Sequence, residues 1–161
     1  MYDRIIVPTD GSDIAAGAAE HAFDLARAFD ATIHVLYVVD ESASRLVLDT
    51  GSVGSVLEVL TEEGEAATDA LTEAAGDIDL VTEVVRGVRI ADAIVEYATD
   101  HDADLIVMGT EGRHGVKRLV GSVTERVLAR TPIPVLALSA ASLEADEADT
   151  TVTERVEADE E

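Results

Sequence analysis

Residues 5–12 read Ile5-Ile6-Val7-Pro8-Thr9-Asp10-Gly11-Ser12, and this stretch decides the class of fold. Three consecutive apolar residues closed by Pro and Gly read as a strand buried on both faces, since a half-exposed strand would alternate. Ser12 suits a helix N-cap. After it, Ile14, Ala18, Ala22, Leu25, Ala26 and Phe29 recur at three- and four-residue steps, the spacing of one helical face. The unit then repeats. Thr32 to Val39 is a second apolar run, followed by a polar loop from Asp40 to about Ser52. Val53, Val56, Leu57, Leu60, Ala67, Leu71 and Ala74 mark a long helical segment, although Gly64 inside it argues against one unbroken helix. Leu80 to Val85 reads as a third strand, Ile90 to His101 as a third helix, and Leu105 to Met108 as a fourth strand. A fourth helix over Ser122 to Arg130 and a fifth strand over Val135 to Leu138 complete the series. Strict alternation of buried-type strands with helices predicts an α/β fold. The expected form is an open five-stranded doubly wound parallel sheet, order 3-2-1-4-5, with helices on both faces.

The chain's 161 residues suit one domain. At 47% apolar it has the means to build a core, and the absence of cysteine excludes a disulfide scaffold, a thiolate zinc site and a thiol nucleophile. No apolar run approaches the ~20 residues of a membrane helix, and no signal peptide opens the chain. The expected location is the cytoplasm, away from membranes.

Thirty-four acidic residues face eleven basic ones, a net charge of −23, and Lys117 is the only lysine. Such a surface is a poor partner for nucleic acid or anionic membrane. It suits either a high-salt cytoplasm, where short screening lengths quench self-repulsion, or an acidic interaction protein; a folded, apolar-rich chain favours the first. Residues 140–161 carry nine acids against Arg155 alone. That stretch reads as an acidic, disordered tail beyond a domain over 1–139, with a partner-docking tail as the alternative.

In a doubly wound sheet, ligands bind beyond the carboxyl ends of the strands where the strand order reverses, here between strands one and four. Two loops meet there, Pro8 to Ser12 and Gly109 to Gly121. The second is long for a β-to-α connection and contains Gly109, Gly112, Gly115 and Gly121. It leads into Ser122-Val123-Thr124-Glu125, which has capping-box spacing. A helix N-terminus offers free N–H groups and a positive dipole end to a phosphate. Residues 109–130 also hold Arg113, Lys117, Arg118, Arg126 and Arg130 against Glu111 and Glu125, a local excess of positive charge in an acidic chain. Arg126 and Arg130 have a plainer role as complements to a helix C-terminus; the three bases before the helix do not. Neither a P-loop nor a Rossmann fingerprint is present.

The stretches Ile5 to Ser12, Ala103-Asp104-Leu105-Ile106-Val107-Met108-Gly109, Gly121 to Val127 and Pro134-Val135-Leu136, in this order and spacing, resemble the universal stress protein family. The resemblance covers residues 2 to about 139, and the acidity points to a haloarchaeal member. The family's ATP-binding branch carries Gly-x2-Gly-x9-Gly-Ser/Thr after the fourth strand. Here Gly109, Gly112, Gly121 and Ser122 match, but eight residues rather than nine separate Gly112 from Gly121. That is either a harmless trim of the turn or a displacement of the Gly121 and Ser122 N–H groups. Glu111 also puts an acid inside the anion loop. The resemblance implies that Pro8, Thr9 and Asp10 lie along adenine and ribose, and that Val38 covers the adenine. It places Met108 and Gly109 beside the nucleotide, and Gly112, Arg113, Gly121, Ser122 and Val123 on the phosphates. ATP with Mg2+ or Mn2+ is the implied ligand.

Asp10 has an equal reading as an Asx-type turn residue. His21, His34 and His101 read as ordinary packing or surface residues, while His114 lies in the anion loop within reach of phosphate. The histidines show no metal-ligand spacing, and no Ser, His and acid grouping marks a nucleophile. The expectation is therefore a binding protein and not an enzyme, with slow incidental ATP hydrolysis compatible with it. Pro132 and Pro134 blunt the start of the fifth strand, but Val135, Leu136 and Leu138 leave an apolar sheet edge open to another chain. The family's dimers form through this strand, so a homodimer is expected. The preferred function is an ATP-binding regulatory homodimer in the stress response. The alternative is a stress-protein scaffold that binds a protein partner and no nucleotide.

Overall fold

The computed structural model describes residues 1–42, 53–111 and 121–144. The elements are β1 (Arg4–Pro8), α1 (Asp13–Phe29), β2 (Thr32–Asp40), α2 (Val53–Ala75), β3 (Leu80–Gly87), α3 (Ile90–Asp100), β4 (Leu105–Gly109), α4 (Ser122–Arg130) and β5 (Val135–Leu138). The five strands form one sheet, parallel as the alternation predicts, in the expected order β3-β2-β1-β4-β5.

Strand alternation explains why the strands read as continuous apolar runs. Ile5, Val7, Ile33, Val35, Leu105 and Val107 point to one face and pack with Ala18, Ala22 and Phe23 of α1 and Leu71 of α2. Ile6, Leu36, Val38, Ile106 and Met108 point to the other and pack with Ile94 and Tyr97 of α3 and Val127 of α4. The two turns of winding thus bury both faces. The buried stripe of α1 departs from the expected one. Ala15, Ala19 and Phe23 are inside, while Phe29 is 40% exposed and stands edge-on to Tyr2. Helix α2 runs unbroken through Gly64. A Cβ there would lie 2.6 Å from the Tyr37 ring, so the glycine is a close-packing residue rather than a break.

Residues 140–144, assigned by the sequence to the tail, are helical. Ser139 and Ser142 cap this turn reciprocally: Ser142 N–H donates to Ser139 Oγ at 3.2 Å and Ser139 N–H to Ser142 Oγ at 2.8 Å. Leu143 packs against the α1-side core. The packed chain therefore extends past residue 139. The rest of the expected tail, 145–161, lies outside the described residues.

Asp104 ties the amino ends of β1 and β4. Its Oδ2 accepts from the backbone N–H of Asp3 (2.8 Å) and Arg4 (2.9 Å), and these donors hold its carboxyl below the usual carboxylate range. A carboxyl with a lowered folded pKa stabilises above its ordinary value and loses that contribution as pH falls through the folded one. Asp104→Ala is expected to cost about 0.5–1.5 kcal/mol at neutral pH, since water can replace part of what the partly exposed carboxylate offers. In urea unfolding the gap to the parent should narrow below the ordinary value of 3.8.

Candidate functional site

Strand pairing opens the site. β1 pairs with β2 along its whole length to Pro8–Leu36, and β4 pairs with β5 to Gly109–Leu138. Between them, β1 and β4 are in register only at Ile5–Leu105 and Ile6–Ile106. Each strand then follows its outer neighbour, which leaves a crevice at the switch point where ligands enter such sheets.

One wall is the loop from β1 to α1. Thr9 is buried, and its N–H donates to Leu36 O at 2.9 Å. Thr9 Oγ1 accepts from Gly11 N–H (3.1 Å), Asp10 Oδ1 from Ser12 N–H (3.0 Å) and Ser12 Oγ from Ala15 N–H (3.2 Å). Gly11 supplies the positive φ of 76° that this tight run needs. Asp10 thus makes the expected Asx turn with one oxygen, and Ser12 is the N-cap of α1 as predicted.

The other wall is the end of β4 with the start of α4. Gly109 touches α1 so closely that a Cβ would sit 2.5 Å from Ile14 Cγ2. Its carbonyl accepts from Thr124 Oγ1 at 2.9 Å. Thr110 N–H donates to Leu138 O at 2.8 Å, and Thr110 O accepts from Gly121 N–H. The long loop therefore leaves and returns at one neck. A Cβ on Gly121 would lie 2.6 Å from Thr110 O, so glycine is needed there for steric reasons alone. The N-cap of α4 is Gly121, not Ser122 as the capping-box spacing implied. Pinning Gly121 at the neck makes Ser122 the first helical residue, and among the described residues no side chain caps the helix. The first-turn N–H groups thus lack the usual internal acceptor.

Val38 and Met108 are buried beside this crevice on the α3 and α4 side of the sheet. Pro8, Thr9, Asp10, Val38, Met108, Gly109, Gly121, Ser122 and Val123 are all carried by elements that end at this crevice. Gly112 and Arg113, with His114, Lys117 and Arg118, lie outside the described residues. Arg130 reaches across to Asp92 of α3, which also meets Arg89 at 3.6 Å, so its charge joins two helices. The sequence reading missed Thr110. Its side chain is buried, and its Oγ1 has no hydrogen-bond partner among the described residues. The available signal was a small hydroxyl residue directly after Gly109. Among the described residues no cluster of three His, Asp or Glu could hold a metal, and no helix is long and apolar enough to cross a membrane.

A parallel sheet wound in both directions, with a crevice at its switch point beside the N-terminus of α4, defines a doubly wound α/β protein. The family described as universal stress protein matches residues 1–139. Universal stress protein MJ0531 of Methanocaldococcus jannaschii is 43% identical over 139 residues, covering 84% of this chain and 81% of that protein. The structure of the universal stress protein UspA from Lactobacillus plantarum superimposes with a TM-score of 0.73 at 34% identity, covering 85% of this chain and 97% of that one. A universal stress protein solved in complex with cAMP superimposes with a TM-score of 0.60 at 29% identity, covering 86% and 97% of the two chains. The chain belongs to the universal stress protein family.

Proposed function

We propose that this chain is an ATP-binding universal stress protein, acting in the cytoplasm as a regulatory homodimer that pairs through β5. The observation that carries the nucleotide reading is the uncapped N-terminus of α4 beside the β1/β4 crevice. Two further features fit a polyphosphate. The loop neck is closed by Gly121 N–H on Thr110 O, so a loop one residue short still brings Gly121, Ser122 and Val123 to the site. The buried Thr110 hydroxyl, unpartnered among the described residues, is a polar group that a phosphate oxygen would satisfy. Pro8, Thr9 and Asp10 would line the adenosine, Val38 and Met108 would cover the base, and Gly109, Gly112 and Arg113 would complete the phosphate cradle. A relative bound to cAMP supports an adenine nucleotide as the class of ligand. Mg2+ or Mn2+ would accompany ATP and neutralise part of its charge. The role proposed is binding rather than catalysis, with the acidic surface suited to high salt.

The nucleotide-free scaffold keeps one observation in its favour. Glu111, half-buried at the loop neck, brings negative charge to the phosphate side of the crevice. Calorimetry in molar KCl with Mg2+ decides between the two. ATP is expected to bind in about the micromolar range, near −8 kcal/mol. An absence of saturable heat, with no adenine in protein purified without added nucleotide, would favour the scaffold.

A further inference from the structure

At the end of the sheet opposite the crevice, the amino ends of β1 and β2 meet the last turn of α3. His34 of β2 is only 8% exposed, and its Nδ1 lies 3.0 Å from the Tyr97 hydroxyl. The Tyr97 ring stacks on His101 at a centroid distance of 3.9 Å and 24°. The His34 ring stands at steep angles to both, 5.9 Å from Tyr97 and 5.4 Å from His101. His101 Nδ1 lies 2.8 Å from Tyr97 O; a carbonyl only accepts, so this nitrogen carries hydrogen. The Arg4 guanidinium of β1 donates to His101 O, and Arg4 Nε is buried with no partner among the described residues. Two imidazoles and a permanent cation thus lie close together, with His34 buried and Arg4 and His101 half-buried.

The acids that face His34 do not balance this. Asp79, before β3, accepts from Thr32 Oγ1 at 2.9 Å, and Glu83 is on the exposed edge strand. Asp104, next to Arg4, is engaged by two backbone N–H groups. Burial foremost, then Arg4 and His101, hold His34 below the ordinary histidine value of 6.5, against a weaker upward pull from Asp79 and Glu83. Burial foremost also holds the Tyr97 hydroxyl above its ordinary range, so it stays protonated, and its bond to His34 Nδ1 takes its direction from the imidazole tautomer.

We propose that the His34–Tyr97–His101 cluster, backed by Arg4, is an acid-sensitive latch that fastens the last turn of α3 to the sheet and loosens it when His34 takes up a proton. The added charge would face Arg4 in a site with little water, where like charges repel strongly. The loosened element is not remote from ligand chemistry. Ala93 in the first turn of the same helix lies beside Gly87 and Val38: a Cβ on Gly87 would be 3.0 Å from Ala93 Cβ and 3.5 Å from Val38 Cγ1. Acidification would thereby reach the site through one short helix.

The sign follows from linkage. With the folded pKa of His34 lowered, the unfolded chain takes up the proton first. Stability is full above the ordinary value and falls as pH drops below it, by up to about tenfold in the folding constant for each unit of lowering. Carboxylates of ordinary pKa titrate lower, which leaves a window between about pH 7 and 5 for histidine.

Urea unfolding of the full chain in molar KCl across that window is expected to show a several-fold fall in the folding constant. His34→Gln keeps an acceptor for the Tyr97 hydroxyl without a titrating proton, so the fall should be largely absent. NMR titration of the wild-type His34 ring should give a midpoint below 6.5, and His101→Gln should raise it. Amide exchange at residues 97–103, corrected for intrinsic rates, should accelerate as His34 protonates. The latch is overturned by a His34 midpoint at or above 6.5, by exchange at 97–103 that ignores its protonation, or by an undiminished fall in His34→Gln. If that variant folds poorly, the wild-type titration and exchange decide alone.

Discussion

Ser122→Glu is expected to weaken ATP binding by more than tenfold while leaving the fold at least as stable. Ser122 is exposed at the first position of α4, and Gly121 before it offers no capping side chain. A carboxylate in the first turn complements the helix dipole and is worth about 0.3–1 kcal/mol in favour of the helix. The same charge opposes a phosphate at the same N–H groups. At about 4 Å and an effective dielectric near 20 the repulsion is about 4 kcal/mol. Screening over about 3 Å in molar salt cuts this to about 1 kcal/mol per charge, and a phosphate carrying about two charges still leaves about a thirtyfold loss of affinity. Thermal unfolding and ATP calorimetry on one sample separate the two effects. An unchanged isotherm would remove α4 from the binding site.

Gly109→Val should destabilise the protein by about 3 kcal/mol, the upper part of the range for overpacking. An added Cβ meets Ile14 Cγ2 at 2.5 Å and the Ile14 backbone at 3.4 Å. Neither retreats easily, because Ile14 is β-branched and sits just inside the Ser12 cap of α1. Moving Gly109 instead would strain the Thr124 hydroxyl bond to its carbonyl and the strand partner Leu138. Denaturant midpoints measure the loss. Ile14→Ala in the same chain should return part of it, and a Gly109→Val protein as stable as the parent would refute the contact.

These two glycines show how a motif combines two demands. Read as sequence, Gly109 and Gly121 belong to an anion loop, where glycine lets a ligand approach the backbone. In the fold, each also has a protein atom where a Cβ would go, Ile14 for one and Thr110 O for the other. Binding and packing therefore predict the same residue, and only substitutions that spare packing, such as Ser122→Glu, test binding alone.

The α/β class, the succession of strands and helices and the two glycine-containing loops follow from local pattern; the strand order was an assumed topology that the sheet then showed. An apolar run closed by Pro8 and Gly11, or by Gly109, has few ways to be buried, and right-handed crossovers leave few topologies. Ser12 was legible as a cap for the same reason: its partner, Ala15 N–H, is three residues away. Contacts distant in sequence were not legible in this way. The choice of Gly121 over Ser122 as N-cap depends on Thr110 O, eleven residues back across the loop. Gly64 looked like a helix break until Tyr37 was placed beside it.

His34 and His101 mark the same boundary. Each reads in isolation as an ordinary residue of a strand or a helix end. Only packing α3 on β2, which joins His34 to Tyr97 63 positions later, brings two imidazoles and Arg4 together. Periodicity and turn chemistry act over a few residues, so the chain alone was enough for the α/β class and the order of elements along the chain. Burial and the pairing of polar groups depend on which distant residues share a space, and those the folded sheet alone decided.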